Sequence, residues 1–186
     1  MTTPKAIPYI DDLREDFDKV YVLYFSRMHR FAKEYVLTDE DAENIVQDIF
    51  MQLWEKRDVL NVQINLASYL FSLVKNRCLD YLRHKVVVEE YQKELSLKLV
   101  ALEQLDYNLS SEDDIERIIT NAVDKLPERC REIFMKSRLE GKKYKEIAEE
   151  LNISVNTVET QMSIALKKLR VELKDYLPLF VFLAGG

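Results

Sequence analysis

The sequence predicts an all-α protein with two small helical domains joined by a linker, the C-terminal domain containing a helix-turn-helix. Glycine and proline are scarce among the 186 residues, whereas leucine, glutamate, lysine and alanine, which favour helices, are abundant. Apolar residues recur at steps of three and four along most of the chain, as they do on the buried face of an amphipathic helix. A chain of this length can form one domain or two small ones.

Three apolar patterns predict the helices of a first domain, which we assign to residues 8–85. The first pattern covers residues 17–35. The second begins at Thr38, whose hydroxyl can form a capping box with the carboxylate three residues later, and it continues to Trp54. The third covers residues 66–85. Opposite its apolar stripe it carries a polar face formed by Ser68, Ser72, Lys75, Asn76 and Arg83.

The apolar pattern loosens over residues 86–114, whose last seven residues are rich in turn formers and acids, so we predict a linker there. A second domain follows over residues 115–176, with a helix break at Pro127 and a helix end at Gly141. The chain ends in an apolar tail, residues 177–186. We expect this tail to cover a groove of its own domain rather than to contact a membrane.

Residues 144–162 have the spacing of a helix-turn-helix. Ala148 is small where the two helices approach, Asn152 can adopt the left-handed conformation of the turn, and Ser154 can cap the second helix. Lys143 stands where a Ser or Thr cap would be expected, so the first helix has a weaker start. This spacing favours a DNA-reading module over a helical hairpin inside a core.

The net charge of −6 is unevenly distributed. Residues 75–85 contain four basic side chains and one Asp, and residues 125–145 contain eight Lys or Arg and three Glu. This separation predicts two contacts with a phosphate backbone, with the acidic surfaces left for a protein partner.

The two cysteines, Cys78 and Cys130, lie in apolar helical patterns without a CxxC motif or a neighbouring His, as expected for reduced thiols. The N-terminus has no hydrophobic signal core, and the longest apolar run, residues 177–184, is too short to cross a bilayer. We therefore expect a cytoplasmic protein with neither a cofactor nor a metal site.

The sequence contains two separate groups of motifs, one in each predicted domain, and their order and spacing along the chain can be compared with those of known families. The first group comprises residues 41–50 with Leu53 and Trp54, then residues 66–70 and 76–83. The second group comprises Leu126, Pro127, Arg131, Phe134, the helix-turn-helix and residues 165–170. Together they resemble the bacterial RNA polymerase sigma factors of the extracytoplasmic-function (ECF) type over almost the whole chain.

The resemblance implies that the first domain binds core RNA polymerase and opens the minus-ten promoter element, while the second domain reads the minus-thirty-five element. It implies an alternative sigma factor, which is not an enzyme, and an anti-sigma factor as a further partner. The polymerase-binding residues that it implies are Asp41, Glu43, Asn44, Gln47, Asp48 and Gln52. Without the resemblance, this polar face would be more typical of a solvated helix surface.

The resemblance also assigns the DNA contacts. For the separated strand of the minus-ten element the candidates are Asn65, Ser68, Tyr69, Lys75, Asn76 and Arg83. Tyr69 can instead pack in the core. On the recognition helix, the residues expected to face inward are Val155, Val158, Met162, Ala165, Leu166 and Leu169. The candidates left for the minus-thirty-five element are Asn156, Thr157, Glu159, Thr160, Gln161, Ser163, Ile164 and Lys168.

The recognition helix departs from many relatives, which carry Arg or His near positions 161 and 164. Gln161 and Ile164 stand there instead, so guanine recognition by Arg is not expected. Glu159 can accept a hydrogen bond from a cytosine amino group, and Gln161 can pair with adenine. We therefore expect an unusual promoter sequence.

Two rival interpretations come from other classes of protein. A transcriptional regulator could combine the helix-turn-helix with an N-terminal helical sensing domain, but the motifs over residues 41–54 and 76–83 have no reason to occur in such a domain. A helical-bundle enzyme could use the carboxylates of the second helix, but only two His are present and neither belongs to a Glu-x-x-His pair. No Gly-rich phosphate loop is present either.

Overall fold

The computed structural model describes residues 10–55, 64–86 and 92–185. Every regular element in these ranges is helical, so the predicted all-α class is confirmed. None of the helices in this part of the chain combines the length and the apolar character needed to cross a bilayer.

Helices α1 (Ile10–Tyr35), α2 (Asp39–Glu55) and α3 (Ile64–Lys85) form the first layer of the core. Helix α2 begins as predicted, because the Thr38 hydroxyl accepts a hydrogen bond from the Asp41 N–H at 3.0 Å and donates one to the Asp41 carboxylate at 2.7 Å. Each of these three helices contacts the other two, and the contact between α1 and α2 is the most extensive. The sequence therefore predicted all three helices, although α1 extends further towards the N-terminus than its apolar pattern.

Helix α4 (Gln92–Asn108) lies inside the segment predicted to be a linker. It packs against α3 and buries Leu95, Leu102 and Leu105. The prediction of a linker is wrong for this stretch, because apolar residues such as Leu97 and Tyr107 also occupy the exposed sides of α4 and obscure the period of the buried residues.

The helices that follow match the predicted order. They are α5 (Glu112–Asp124), α6 (Glu128–Phe134), which continues as a π-helical turn over Met135–Leu139, α7 (Tyr144–Glu150) and α8 (Val155–Glu172). Helix α5 starts at Ser111, whose hydroxyl accepts a hydrogen bond from the Asp114 N–H at 3.1 Å. Gly141 ends the π-helical segment with a φ of 73°, a conformation that glycine adopts readily.

The apolar tail forms a ninth helix among the described residues, α9 (Leu177–Ala184), after a short 3-10 turn. The expectation that it covers a groove of its own domain is wrong, because α9 packs mainly against α1 and also contacts α3 and α8. Helix α5 likewise packs against α3. The two predicted domains are therefore in contact in this structure, and their buried residues form one continuous core.

Candidate polymerase-binding and DNA-binding surfaces

The polar face of α2 is exposed at the five positions Glu43, Asn44, Gln47, Asp48 and Gln52. The Gln47 amide donates a hydrogen bond to the Glu43 carboxylate at 3.0 Å. The first turn of α2 carries Asp39, Glu40 and Asp41. This arrangement gives α2 an acidic outer surface that is available to a basic protein partner.

Asp41 differs from these residues because it is half-buried and already hydrogen-bonded. Its carboxylate accepts hydrogen bonds from the Thr38 hydroxyl and, at 2.9 Å, from the Tyr81 hydroxyl of α3. Burial raises the pKa of Tyr81 to about 12, so this phenol remains a donor at neutral pH. Asp41 therefore fixes the start of α2 against α3.

An aromatic cleft adjoins the acidic surface of α2. Phe17 packs edge-on against Trp54 with 5.0 Å between ring centroids, and Tyr21 lies 4.8 Å from Phe50. Trp54 is 38% exposed and Met51 is more exposed still. Trp54 ends the apolar pattern of α2, and such a pattern predicts a buried side chain. Its exposure means that the last turn of α2 presents apolar surface beside the acids.

The predicted minus-ten face of α3 is only partly exposed. Asn76 and Arg83 are exposed, and Tyr69 is half-buried. Ser68 and Lys75 are buried, so their placement on an exposed polar face is wrong, and the same holds for Ser72. The physical reason is that α4 and α5 both pack on α3 and cover the face opposite its apolar stripe. The side chain of Asn65 lies outside the described residues.

Lys75 is the most deeply buried cation among the described residues, with 1% of its surface exposed. Its ammonium group donates hydrogen bonds to the Asp106 carboxylate and, at 2.9 Å, to the Leu109 carbonyl, both at the C-terminal end of α4. A buried cation needs such partners, and the carbonyl end of a helix is a favourable place for one. Lys75 therefore fastens α4 to α3.

The helix-turn-helix has the predicted geometry. Asn152 adopts a φ of 50° in the turn, and the Ser154 hydroxyl accepts a hydrogen bond from the Thr157 N–H at 3.0 Å to cap α8. Ala148 is buried at the approach of α7 to α8. Lys143 provides no side-chain cap for α7, but its N–H donates to the Glu146 carboxylate at 2.7 Å.

One side of α8 packs in the core and the opposite side is exposed. The buried residues are Val158, Met162, Ala165 and Leu169, as predicted. Val155 was also expected to face inward, but it is 40% exposed because it lies at the first position of the helix.

Most candidate DNA-reading residues lie on the exposed side of α8. Those that are exposed are Asn156, Glu159, Thr160, Ser163, Ile164 and Lys168. Thr157 and Gln161 are half-buried. The Gln161 side-chain carbonyl accepts a hydrogen bond from the Cys130 thiol at 3.0 Å, so pairing of this carbonyl with an adenine amino group would have to replace that bond. Burial raises the pKa of Cys130, which keeps the thiol protonated as the donor.

Several cations of the predicted basic zone are paired with acids. Lys136 and Lys142 both contact the Glu150 carboxylate, at 2.6 and 2.7 Å. Hydrogen bonds from Lys136 and then Lys142 lower the pKa of Glu150. Lys125 is paired with Glu172 at 2.6 Å. The positive charge of this zone is thus partly neutralised by acidic side chains of the same chain.

Comparison with known proteins identifies the family to which the chain belongs. A family model described as sigma-70 region 2 matches residues 20–86, and one described as sigma-70 region 4 matches residues 116–169. Together they span well over half of the chain. The first match contains α2 and α3, and the second contains the helix-turn-helix, whereas α4 and α9 lie outside both matches.

Individual relatives agree with these matches. The RNA polymerase sigma factor SigV of Bacillus subtilis (strain 168) is 25% identical over 175 residues, which are 92% of this chain and 93% of the relative. The ferric citrate uptake sigma factor FecI of Escherichia coli (strain K12) is 22% identical over 81% of this chain and 87% of its own length. The ECF RNA polymerase sigma factor SigW of Bacillus subtilis (strain 168) is 21% identical over 87% and 91%. With both sigma-70 regions in order and such relatives aligned along most of its length, the chain belongs to the bacterial RNA polymerase sigma factors of the ECF type.

Proposed function

We propose that this alternative sigma factor directs core RNA polymerase to specific promoters and aids opening of the minus-ten element. The observation that carries the proposal is the succession, on one chain, of a region 2 helix set and a region 4 helix-turn-helix with an exposed reading face. A DNA-binding regulator needs only the second of these. In this role the protein is an initiation factor, without catalytic chemistry of its own, and it acts in the cytoplasm.

Core polymerase binds the outer face of α2. The exposed carboxylates Glu43 and Asp48 orient a basic partner and speed the encounter, and the neighbouring amides Asn44, Gln47 and Gln52 add hydrogen bonds. The aromatic cleft at Trp54 adds apolar surface that a partner can bury beside these polar residues. Asp41 contributes indirectly by holding the start of α2.

The minus-ten strand is contacted by the part of α3 that remains exposed. Asn76 can bond a base edge, Arg83 can contact a phosphate, and half-buried Tyr69 offers a ring on which a base can stack. Ser68 and Lys75 can take part only after the covering helices have moved.

The minus-thirty-five element is read by α8 in the major groove. Asn156, Glu159 and Thr160 lie in its first two turns, where a recognition helix meets base edges first. Lys168 lies further along and suits a phosphate contact that positions the helix. A carboxylate at position 159 faces repulsion from phosphate, so it is useful only opposite a base amino group.

A run-off transcription assay tests the proposal directly. Core polymerase is incubated with fragments of the source genome, with and without this protein, and we expect new transcripts only in its presence. The free protein should bind duplex promoter DNA weakly, because the bases sought by the first domain are paired there. Tight, specific binding to duplex DNA without polymerase, together with no new transcripts, would support a conventional regulator instead.

A matched pair of charge reversals tests the polymerase-binding surface. Asp48→Lys should weaken binding to core polymerase by at least about tenfold, because it puts a cation opposite a basic partner. Glu116→Lys makes the same reversal of charge at an exposed position of α5 and should leave the affinity close to wild type. Equal affinities for two folded variants would remove α2 from the interface.

An anti-sigma factor is the remaining partner that we propose. Such a protein would compete for the surfaces that polymerase uses, so its binding should be mutually exclusive with that of core polymerase. Purification of the tagged protein from its own cells, followed by identification of bound chains, tests this expectation.

A further inference from the structure

Helix α9 lies outside both sigma-70 matches, and one of its faces is inserted into the first domain. The Phe182 ring sits between Tyr24 of α1 and Phe71 of α3, with ring centroids 6.0 and 5.3 Å away. Phe182 is 1% exposed, whereas its neighbour Val181 is 46% exposed. The helix is therefore anchored by one apolar face and open to solvent on the other.

The C-terminal end of α9 is hydrogen-bonded to a residue of the second domain, which is in turn hydrogen-bonded to α1. The Arg138 guanidinium, from the π-helical turn before the helix-turn-helix, donates a hydrogen bond to the Ala184 carbonyl at 3.2 Å. The Arg138 carbonyl accepts one from Arg27 of α1 at 2.9 Å. Arg138 thus links α1 to α9, and a cation at the carbonyl end of a helix is favourable.

The link includes a buried cation. Arg27 is 3% exposed, and its guanidinium lies 5.2 Å from the centre of the Tyr24 ring. Burial lowers the pKa of Arg27 to about 10, with nearby Tyr24 opposing the shift and Arg138 and Arg30 adding to it. Part of this burial comes from the second domain and α9, because Arg27 donates to the Arg138 carbonyl and Tyr24 packs on Phe182, so separation of the domains would increase the exposure of both groups to water.

The closed arrangement conflicts with simultaneous contact to both promoter elements. Elements centred at minus ten and minus thirty-five are roughly 25 base pairs apart, or about 85 Å along the helix at about 3.4 Å per base pair. A compact chain of this size has a radius of gyration of about 16 Å, and so a diameter of about 40 Å. The second domain must leave the first before both elements can be reached.

We propose that α9 is an autoinhibitory latch, which holds the helix-turn-helix domain against the first domain until polymerase or DNA displaces it. Phe182 provides the apolar hold, and Arg138 provides the polar one. While the latch is closed, α5 covers α3 and the DNA-binding surfaces remain too close together for a promoter. The inhibitory part of this proposal rests on the proposed function, whereas the closed state does not.

Two substitutions on adjacent residues test the latch in the full-length chain. Phe182→Ser removes the buried anchor, and Val181→Ser introduces the same residue on the exposed face of the same helix. In small-angle X-ray scattering we expect the radius of gyration to increase about 1.3-fold or more for Phe182→Ser and to match wild type for Val181→Ser. An unchanged radius for a folded Phe182→Ser variant would overturn the latch.

Arg138→Met gives an independent test if Phe182→Ser loses its helical circular dichroism. It keeps the aliphatic stem and removes the hydrogen bond to Ala184, so the radius should again increase. Arg138→Met with a wild-type radius and wild-type helicity would overturn the polar part of the latch.

The affinity for core polymerase tests the inhibition. We expect Phe182→Ser to bind core polymerase about tenfold more tightly than wild type, and Val181→Ser to bind like wild type. If Phe182→Ser has an increased radius of gyration but an unchanged affinity for core polymerase, then α9 closes the molecule without inhibiting it. If wild type and every variant fail to bind polymerase, the proposed function fails, and scattering still decides whether α9 closes the molecule.

Discussion

The two helices assigned to DNA, α3 and α8, differ in how they present their polar residues. Helix α8 has one packed side, and its opposite side is exposed at Glu159 and Lys168. Helix α3 is packed on several sides, and Ser68 and Lys75, which the sequence placed on its polar face, are buried. A polar side chain on an amphipathic pattern therefore indicates solvent only when no further helix covers that face.

The charges of the two regions differ in the same way. The buried ammonium group of Lys75 pairs with the half-buried carboxylate of Asp106 across the α3 and α4 interface. The cations around the helix-turn-helix form exposed pairs, such as those of Lys136 and Lys142 with Glu150. Breaking a buried pair leaves a desolvated partner, whereas water replaces the lost partner of an exposed one.

The largest effect should come from the buried pair. Lys75→Ala should lower the free energy of unfolding by about 3 kcal/mol, because the Asp106 carboxylate and the Leu109 carbonyl lose their buried donor. The matched control is Arg83→Ala, which breaks the exposed pair with Glu103 across the same two helices and should cost less than about 1 kcal/mol. Urea unfolding of both variants measures the difference.

A double variant sharpens this result. Replacing Lys75 with Met and Asp106 with Leu removes both charges and supplies apolar volume, so it should recover much of the stability lost in Lys75→Ala. Equal losses for Lys75→Ala and Arg83→Ala would show that Lys75 is solvated in solution, and the contrast between α3 and α8 would then not hold.

The next effect concerns recognition by the exposed helix. Glu159→Ala should relax the preference at one base position of the minus-thirty-five element by about 2 kcal/mol, since a direct contact to a base amino group is lost. Lys168→Ala should instead weaken binding to all sequences alike and reduce the salt dependence by about one unit of slope. Selection of promoter variants with polymerase carrying each variant distinguishes the two residues. An unchanged preferred sequence for Glu159→Ala would mean that another side of α8 faces the bases.

Local chemistry explains why the helix-turn-helix was predictable. The left-handed conformation of Asn152 and the cap by Ser154 depend on residues within three positions, so the sequence alone indicates both. The start of α2 at Thr38 is equally local. The exposed face of α8 followed from the same short-range period.

Long-range contacts explain what was not predictable. Lys75 is buried by partners 31 and 34 residues away, on a helix whose apolar residues point in several directions. The hydrogen bond between Cys130 of α6 and Gln161 of α8 also joins residues that are 31 positions apart. The position of α9 depends on α1, at the other end of the chain. None of these contacts leaves a periodic signal at the residues concerned.

A smaller stability effect tests the local signals of the helix-turn-helix. Ser154→Ala should destabilise the fold by about 1 kcal/mol, because the Thr157 N–H loses its cap. Ser163→Ala removes a hydroxyl from the exposed middle of the same helix and should be neutral or slightly stabilising, since alanine favours helix. Thermal unfolding followed by circular dichroism compares them, and a loss for Ser163→Ala as large as that for Ser154→Ala would contradict the assignment of the cap.

The smallest effect should come from the exposed charge network, and it should depend on pH. Hydrogen bonds from Lys136 and Lys142 lower the pKa of Glu150 below its ordinary value of 4.5, so the folded protein keeps this carboxylate charged where the unfolded chain begins to protonate it. The stabilisation is therefore fully present above pH 4.5 and is lost as the pH falls through the lowered pKa of the folded state.

Wild type should have a higher urea midpoint than Glu150→Gln at pH 7. This difference should close towards pH 3, and high salt should reduce it. Glu149→Gln changes the exposed neighbour and provides the control. A gap that stays constant from pH 7 to pH 3 would mean that Glu150 stabilises the protein by packing rather than by charge. The exposed ion pairs of Glu150 would then contribute no stability, and the comparison with the ion pair of Lys75 would not be one between two ion pairs.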